Sequence, residues 1–279
     1  ITCCRSWLRS NGKCRLKRIN PTRRKRTGMA SDGRRRQAAP CVEGDSLDGL
    51  LLVDKPSGFT SHDVVAKFRS TFRLKKVGHG GTLDPAATGL LVLLVGRGTK
   101  LSDRVMGGDK TYEGTMMLGV STHTQDADGE VTTECDASHV TRDMLEAEMH
   151  RLSGDIMQTP PMVSAIKQNG VPLYKLARKG VEVERTARLI HIYEFRLLDF
   201  TPPRARFCVR CTKGTYVRTL CADIGEALGC GAHLETLCRT RSGSLSLEQA
   251  LPLDAILRLS RDELRERLIP VHDVILRGL

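Results

Sequence analysis

Hydrophobic and polar positions change period several times along the chain, and each change predicts an element. Residues 50–53 are an unbroken apolar run closed by Pro-Ser-Gly, which predicts a short strand and a turn. Ser61 then stands where a helix cap belongs, ahead of Val64, Val65 and Phe68 at helical spacing. Six apolar residues follow at 90–95, after a glycine-rich stretch. Residues 110–119 alternate and predict a strand carrying Tyr112. Thr141 can cap a helix that ends before Gly154. Pro160 and Pro161 open a loop, and 171–178 suggests a short helix stopped at Gly180. Residues 207–211 read as a strand. "KGT" turns from it into 216–228, where Val217, Leu220, Cys221, Ile224 and Leu228 keep a helical face. A last helix around 261–268 ends at Pro270. The irregular alternation of strands and helices predicts a mixed α+β fold, not an orderly doubly wound sheet.

Charge divides the chain where the periodicity begins. The net charge is +12, and residues 1–40 hold thirteen Lys and Arg against Asp32 alone. The remaining residues balance at 31 basic and 31 acidic side chains. Residues 1–44 have no hydrophobic period and read as a basic tail or a targeting leader, with Met29 as an alternative start. Residues 45–250 form the expected main domain, and 251–279 a short helical extension. No run is long and apolar enough for a spanning helix, so no membrane partner is expected. Ten scattered cysteines read as reduced thiols, which implies an intracellular protein. It would be mitochondrial or plastid if 1–28 is a leader, and otherwise cytoplasmic or nuclear.

Two metal signals are weak. Cys208 and Cys211 form the one C-x-x-C, but strand alternation in "ARFCVRC" points the two thiols to opposite faces. "DADGE" at 126–130 holds half of a calcium-loop pattern and is better read as a hairpin turn. No metal site is expected.

"VGHGGTLDPAATGLLVLLVG" at 77–96 places one carboxylate, Asp84, between glycines and an apolar run. Asp84-Pro85 alone is most simply a helix N-cap followed by a first-turn proline. A catalytic acid is the other reading. The glycines lack the order of a phosphate loop, and a carboxylate beside them would repel phosphate.

The surrounding blocks decide between the two. "VGHGGTLDPAATGLL" resembles the catalytic motif of the TruB family of tRNA pseudouridine synthases. The resemblance continues in "LLVDKPSGFTSHDVV", "KTYEGTMMLGVSTHTQDADGEV", "QTPPMVSAIKQNGVPLYKLARKGV" and "CTKGTYVRTLCADIGEALGCGAHLETLCRT", five ordered blocks over roughly residues 50–243. It implies the pseudouridine-synthase fold, a mixed, mainly antiparallel sheet flanked by helices and loops. It implies isomerisation of uridine in RNA by base flipping, at position 55 of the tRNA T-loop, with neither cofactor nor metal. The partner would be the T-stem-loop of tRNA and the enzyme a monomer. By the same resemblance Asp84 is the catalytic carboxylate and Arg218 its counter-charge. Tyr112 stacks on the target base and helps remove the C5 proton, and Tyr216 orients carboxylate and substrate. Leu237 walls the pocket, His79 enters the RNA loop, and Lys55 supports the substrate site without reacting. The motif glycines would let backbone approach RNA. Members often carry an extra C-terminal RNA-binding domain, for which the roughly 30 residues after Ala250 are too few. Two alternatives stand beside this: a guide-RNA-dependent synthase of the dyskerin type, and a non-catalytic RNA chaperone or ribosome-assembly factor on the same fold.

Overall fold

The structure, a computed structural model, describes residues 46–276 except 165, 169, 178, 179 and 182. The expectations for residues 1–44 lie outside the described residues.

The chain enters on β1 (Gly49–Lys55) and turns through Pro-Ser-Gly into α1 (Ser61–Thr71). Thr60, not Ser61, caps that helix. Its hydroxyl accepts from Asp63 N while the Asp63 carboxylate accepts from Thr60 N, a reciprocal capping box. Ser61 is thereby freed for another task, described below. β2 (Val77–His79) and β3 (Thr88–Val95) follow, then α2 (Ser102–Gly107) and β4 (Lys110–Leu118). No helix starts at Asp84. Residues 84–87 make a turn in which Ala87 N donates to Asp84 O at 3.1 Å, and the chain runs directly into β3. The N-cap reading fails because the apolar run after Asp84 is drawn into the sheet.

β5 (Val120–Thr122) and β6 (Val131–Glu134) form a hairpin whose connection contains the expected turn at 126–130. Thr141 caps α3 (Arg142–Arg151) by accepting from Met144 N, and β7 (Gly154–Gln158) follows. The segment after Pro160 contributes a small hairpin, β8 (Lys167–Gln168) and β9 (Val171–Pro172), and α4 (Leu173–Ala177). Then come β10 (Arg188–Thr201), β11 (Arg204–Cys211), α5 (Val217–Ala227) and β12 (Ala232–Ser242). The chain closes through β13 (Leu245–Ser246), β14 (Leu251–Pro252), α6 (Leu253–Ile256), α7 (Arg261–Arg267) and α8 (Val271–Leu276). The two long strands β10 and β12 were not anticipated, since bulges at 192–194 and 234–236 break their alternation.

One sheet runs β14-β1-β3-β12-β4-β11-β10-β7, with β2 on β3 and β13 on β12. Only β1–β14 and β3–β12 pair in parallel, so the sheet is mixed and mainly antiparallel. β1 and β3 are covered on both faces. Leu51, Val53, Leu91 and Leu93 pack on α1, α6 and α7, while Leu50, Leu52, Val92 and Leu94 pack on Val105 of α2 and Val274 of α8. Burial on both faces explains the unbroken apolar run at 90–95. Each of these buried side chains contributes about 2 kcal/mol, so β3 is a stiff anchor for the turn before it. A separate core joins β4, β10 and β11 to α3 and α5 through Met116, Ile190, Phe207, Leu145 and Leu220. Tyr112 and Leu237 touch both this core and the α1 side. The seam between the two cores is where the cleft opens.

Candidate active site

A cleft of about 650 Å³ lies at that seam, lined by Asp84, Tyr112, Tyr216, Arg218 and Leu237 among others. Five of the seven residues singled out in the sequence therefore meet in one place, although they span 153 positions of chain from Asp84 to Leu237. His79 and Lys55 are not in the lining.

Asp84 is held by its neighbours. The Ser61 hydroxyl donates to Leu83 O at 3.2 Å and accepts from Leu83 N at 2.8 Å, pinning the residue before it. The Lys55 ammonium is fully buried and donates to Pro56 O, Phe59 O and Pro85 O at 2.9, 2.6 and 3.1 Å, pinning the residue after it. Burial brings the Lys55 pKa down to about 8, against an upward pull from Asp84. Lys55 thus serves as a strut beneath the turn and offers no surface to a substrate.

The Asp84 carboxylate opens into the cleft with 46% of its side chain accessible, but protein encloses the rest. Loss of hydration raises its pKa above the ordinary aspartate value. Arg218 opposes that rise, Asp126 and Asp128 add to it, and Lys55 opposes it more weakly. Arg218 Nη2 lies 3.6 Å from Asp84 Oδ2 and donates to Val163 O at 2.6 Å, while Nη1 donates to Asp126 Oδ2 at 2.9 Å. Arg218 itself is only 4% exposed. Its planar fork is therefore fixed from two sides, with one edge turned toward Asp84.

The β5–β6 connection that holds Asp126 is itself tied down. Thr124 Oγ1 donates to Asp126 Oδ1, Gln125 O accepts from Leu234 N at 3.0 Å, and the Gln125 side chain accepts from Thr219 Oγ1 at 2.8 Å. Tyr216 has its own clasp. Gln158, buried at the end of β7, accepts from Tyr216 N at 2.8 Å and donates to Tyr216 O at 3.0 Å. This two-point amide contact fixes the start of α5 and so the direction of Arg218 two residues on.

Tyr112 stands on β4 directly across from Arg239 of β12, and Leu237 stands across from Gly114. Burial pushes the Tyr112 phenol up, and the Arg239 cation beside it pulls it back. His79 sits at the end of β2, with Nδ1 buried and unpartnered, and burial lowers its pKa. Two of the motif glycines, Gly80 and Gly89, serve internal contacts. A Cβ on Gly80 would strike the Val105 side chain, and one on Gly89, at φ +92°, would strike the backbone of Arg239. Cys208 and Cys211 lie three apart on β11 and are both buried. No group of three or more His, Cys, Asp or Glu comes together as a metal site among the described residues. No helix there is long and apolar enough to cross a membrane.

Asp126, Gln158, Ser61 and Arg239 were given no role at the site by the sequence. Each lies within a family-like block, which is the only signal that could have marked it.

Comparison with known proteins identifies the family. The model described as TruB family pseudouridylate synthase (N terminal domain) matches residues 69–217. That described as tRNA pseudouridylate synthase B C-terminal domain matches 218–276. The boundary between them falls inside the first turn of α5, so it does not separate two bodies here. The tRNA pseudouridine synthase B of Opitutus terrae is 54% identical over 226 residues, covering 81% of this chain and 94% of the relative. That of Syntrophotalea carbinolica is 45% identical over 229 residues, covering 82% and 75%. Among solved structures, a chain in the crystal structure of a Cbf5-Nop10-Gar1 complex matches with a TM-score of 0.65 and 29% identity. The match covers 82% of this chain and 62% of that one, so this chain spans less than two thirds of its length. The extent of the family match and the identity to these relatives establish that the chain belongs to the TruB family of pseudouridylate synthases and has the pseudouridine-synthase fold.

Proposed function

We propose that this chain isomerises uridine to pseudouridine in tRNA, at position 55 of the T-loop, acting as a monomer without a guide RNA. The observation that carries the reading is the pairing of Asp84 with a buried Arg218 at 3.6 Å in a cleft also lined by Tyr112, Tyr216 and Leu237. The target uridine flips out of the RNA stack and enters the cleft, whose volume suits one nucleoside. Unstacking costs a few kcal/mol, which contact with Tyr112 and Leu237 offsets in part. Arg218 favours the ionised form of Asp84 against the enclosure that disfavours it. The carboxylate then attacks the ribose or base, or stabilises a glycal-like intermediate, as the C1′–N1 bond breaks. The base turns, C1′ joins C5 as any bond or proton taken by Asp84 is given back, the C5 proton departs with help from Tyr112, and N1 gains a proton. Lys55 and Ser61 hold the Asp84 turn rigid through these steps.

Relatives at 45–54% identity are named for tRNA, which supports the tRNA reading over the guide-dependent one. The solved neighbour from the Cbf5-Nop10-Gar1 complex comes from an assembly with other proteins and is only 29% identical. The catalytic constellation weighs against a pure RNA chaperone, which needs no enclosed carboxylate. The test is release of tritium from a C5-tritiated T-arm stem-loop by the purified chain alone, with the product position mapped. Stoichiometric release confined to position 55 is expected. No release, or release only after a guide RNA is added, overturns the proposal. A dimer in solution at assay concentration overturns the monomer.

A further inference from the structure

Arg239 is 1% exposed, yet it carries a charge in the middle of the sheet. A buried cation is costly unless its donors are used. Here Nε donates to Leu90 O at 2.7 Å, Nη1 to Thr82 O at 3.4 Å and Nη2 to Gly81 O at 3.2 Å. Its partners in these bonds are backbone carbonyls, not a carboxylate. Two come from the segment just before Asp84 and one from the strand just after it. Its Cα pairs across the strands with Tyr112 on one side and Gly89 on the other. Gly89 lacks the side chain that would strike the Arg239 backbone, so β3 and β12 close tightly around it. Arg239 thus touches both the loop that carries Asp84 and the residue that faces the base.

Resting on the function proposed above, we propose that Arg239 is a positioning residue of this site, one side chain that sets the Asp84 turn and the Tyr112 phenol in register across the cleft. A neutral or shorter side chain could fill the volume, but it could not hold three carbonyls and face the phenol together. Lys has no planar fork, so it would keep the charge and lose the register.

The charged and titratable groups acting on Tyr112 are Arg239 from β12, Cys211 from β11 and Asp84 from the turn. Arg239 is the cation among them, which gives a readout that mere loss of packing would not move. The experiment compares wild type, Arg239→Lys and Arg239→Gln in the full chain. It measures single-turnover rate at saturating enzyme, affinity for the T-arm, melting temperature, and phenol titration by ultraviolet absorbance with Tyr112→Phe as the subtraction control. Arg239→Lys should lose about 100-fold in rate, the scale expected for a displacement near 1 Å, with affinity and melting little changed. Arg239→Gln should lose at least as much and move the Tyr112 midpoint upward. A rate for Arg239→Lys within about threefold of wild type, on the same scale of misplacement, overturns the proposal. So does an unmoved phenol midpoint in Arg239→Gln. If neither variant folds, Arg239 is a core element only and the proposal also fails. If wild type proves inactive on RNA, the functional reading fails separately, and the phenol titration still decides the placement of Arg239.

Discussion

Arg218 donates to the Asp126 carboxylate at 2.9 Å across 92 residues of sequence. That contact is shorter than its approach to Asp84 at 3.6 Å. The cation facing Asp84 is therefore aimed by a second carboxylate, which also raises the Asp84 pKa through its own charge. Removing either partner of Arg218 has different consequences, and the following outcomes separate them.

Asp84→Asn should abolish turnover while RNA affinity stays within about threefold, since the isostere keeps shape but loses the carboxylate. It should also stabilise the fold at neutral pH. Asp84 ionises at higher pH when folded than when unfolded, so the folded chain binds more protons in that window and stability falls as pH rises through it. Thermal melts against pH check this: the variant should melt above wild type at neutral pH, and the gap should close once pH falls below the unfolded carboxylate value.

Arg218→Met removes the largest opposing influence on the Asp84 shift. The Asp84 pKa should rise further, so the acidic limb of the pH–rate profile should move to higher pH and activity at neutral pH should fall. Arg218→Lys should recover little, because an ammonium cannot hold Val163 O, Asp126 and Asp84 with one planar fork. An acidic limb that stays in place would show that Arg218 does not set the carboxylate.

Asp126→Asn gives the opposite sign. Losing this negative charge lowers the Asp84 pKa, so the acidic limb should move to lower pH while the maximal rate drops through a loosened Arg218. A profile that shifts upward, as for Arg218→Met, would refute the distinction between the two residues.

Gln158→Ala leaves Tyr216 N without its partner, while Tyr216 O keeps its bonds from Thr219 N and Leu220 N. Orphaning a buried polar group of this kind costs about 1–3 kcal/mol, readable as a lower midpoint in urea. The rate should fall more than the affinity does, because the clasp orients α5 and Gln158 itself does not line the cleft. Gln158→Glu, which can accept from Tyr216 N but not donate to Tyr216 O, should fall between the two.

Local structure was legible wherever one short segment decided it. The alternation at 110–119, the helical face of 216–228 and the capping Thr141 all lie where their periods predict. The unbroken run at 90–95 was visible too, and its burial on both faces of β3 follows from it. Local reasoning failed where a distant partner won. Asp84 looked like a helix cap until the following residues were recruited into the sheet, and Ser61 looked like another until Thr60 took that place and left the Ser61 hydroxyl to Leu83. β10 and β12 stayed hidden because their bulges shift the alternation partway along each strand.

By itself, the sequence determined the family and five residues of the cleft, because contiguous blocks such as "GGTLDPAATG" and "KGTYVRT" carry both the resemblance and these side chains. Tertiary structure alone decided how those residues are held. Asp126 serves Arg218, Gln158 serves Tyr216 and Arg239 serves Tyr112 through contacts that close only when strands far apart in sequence pair in register. Periodicity reports which face of an element is buried. It carries no information on which buried polar atom will find which partner, because that depends on the packing of elements dozens of residues apart.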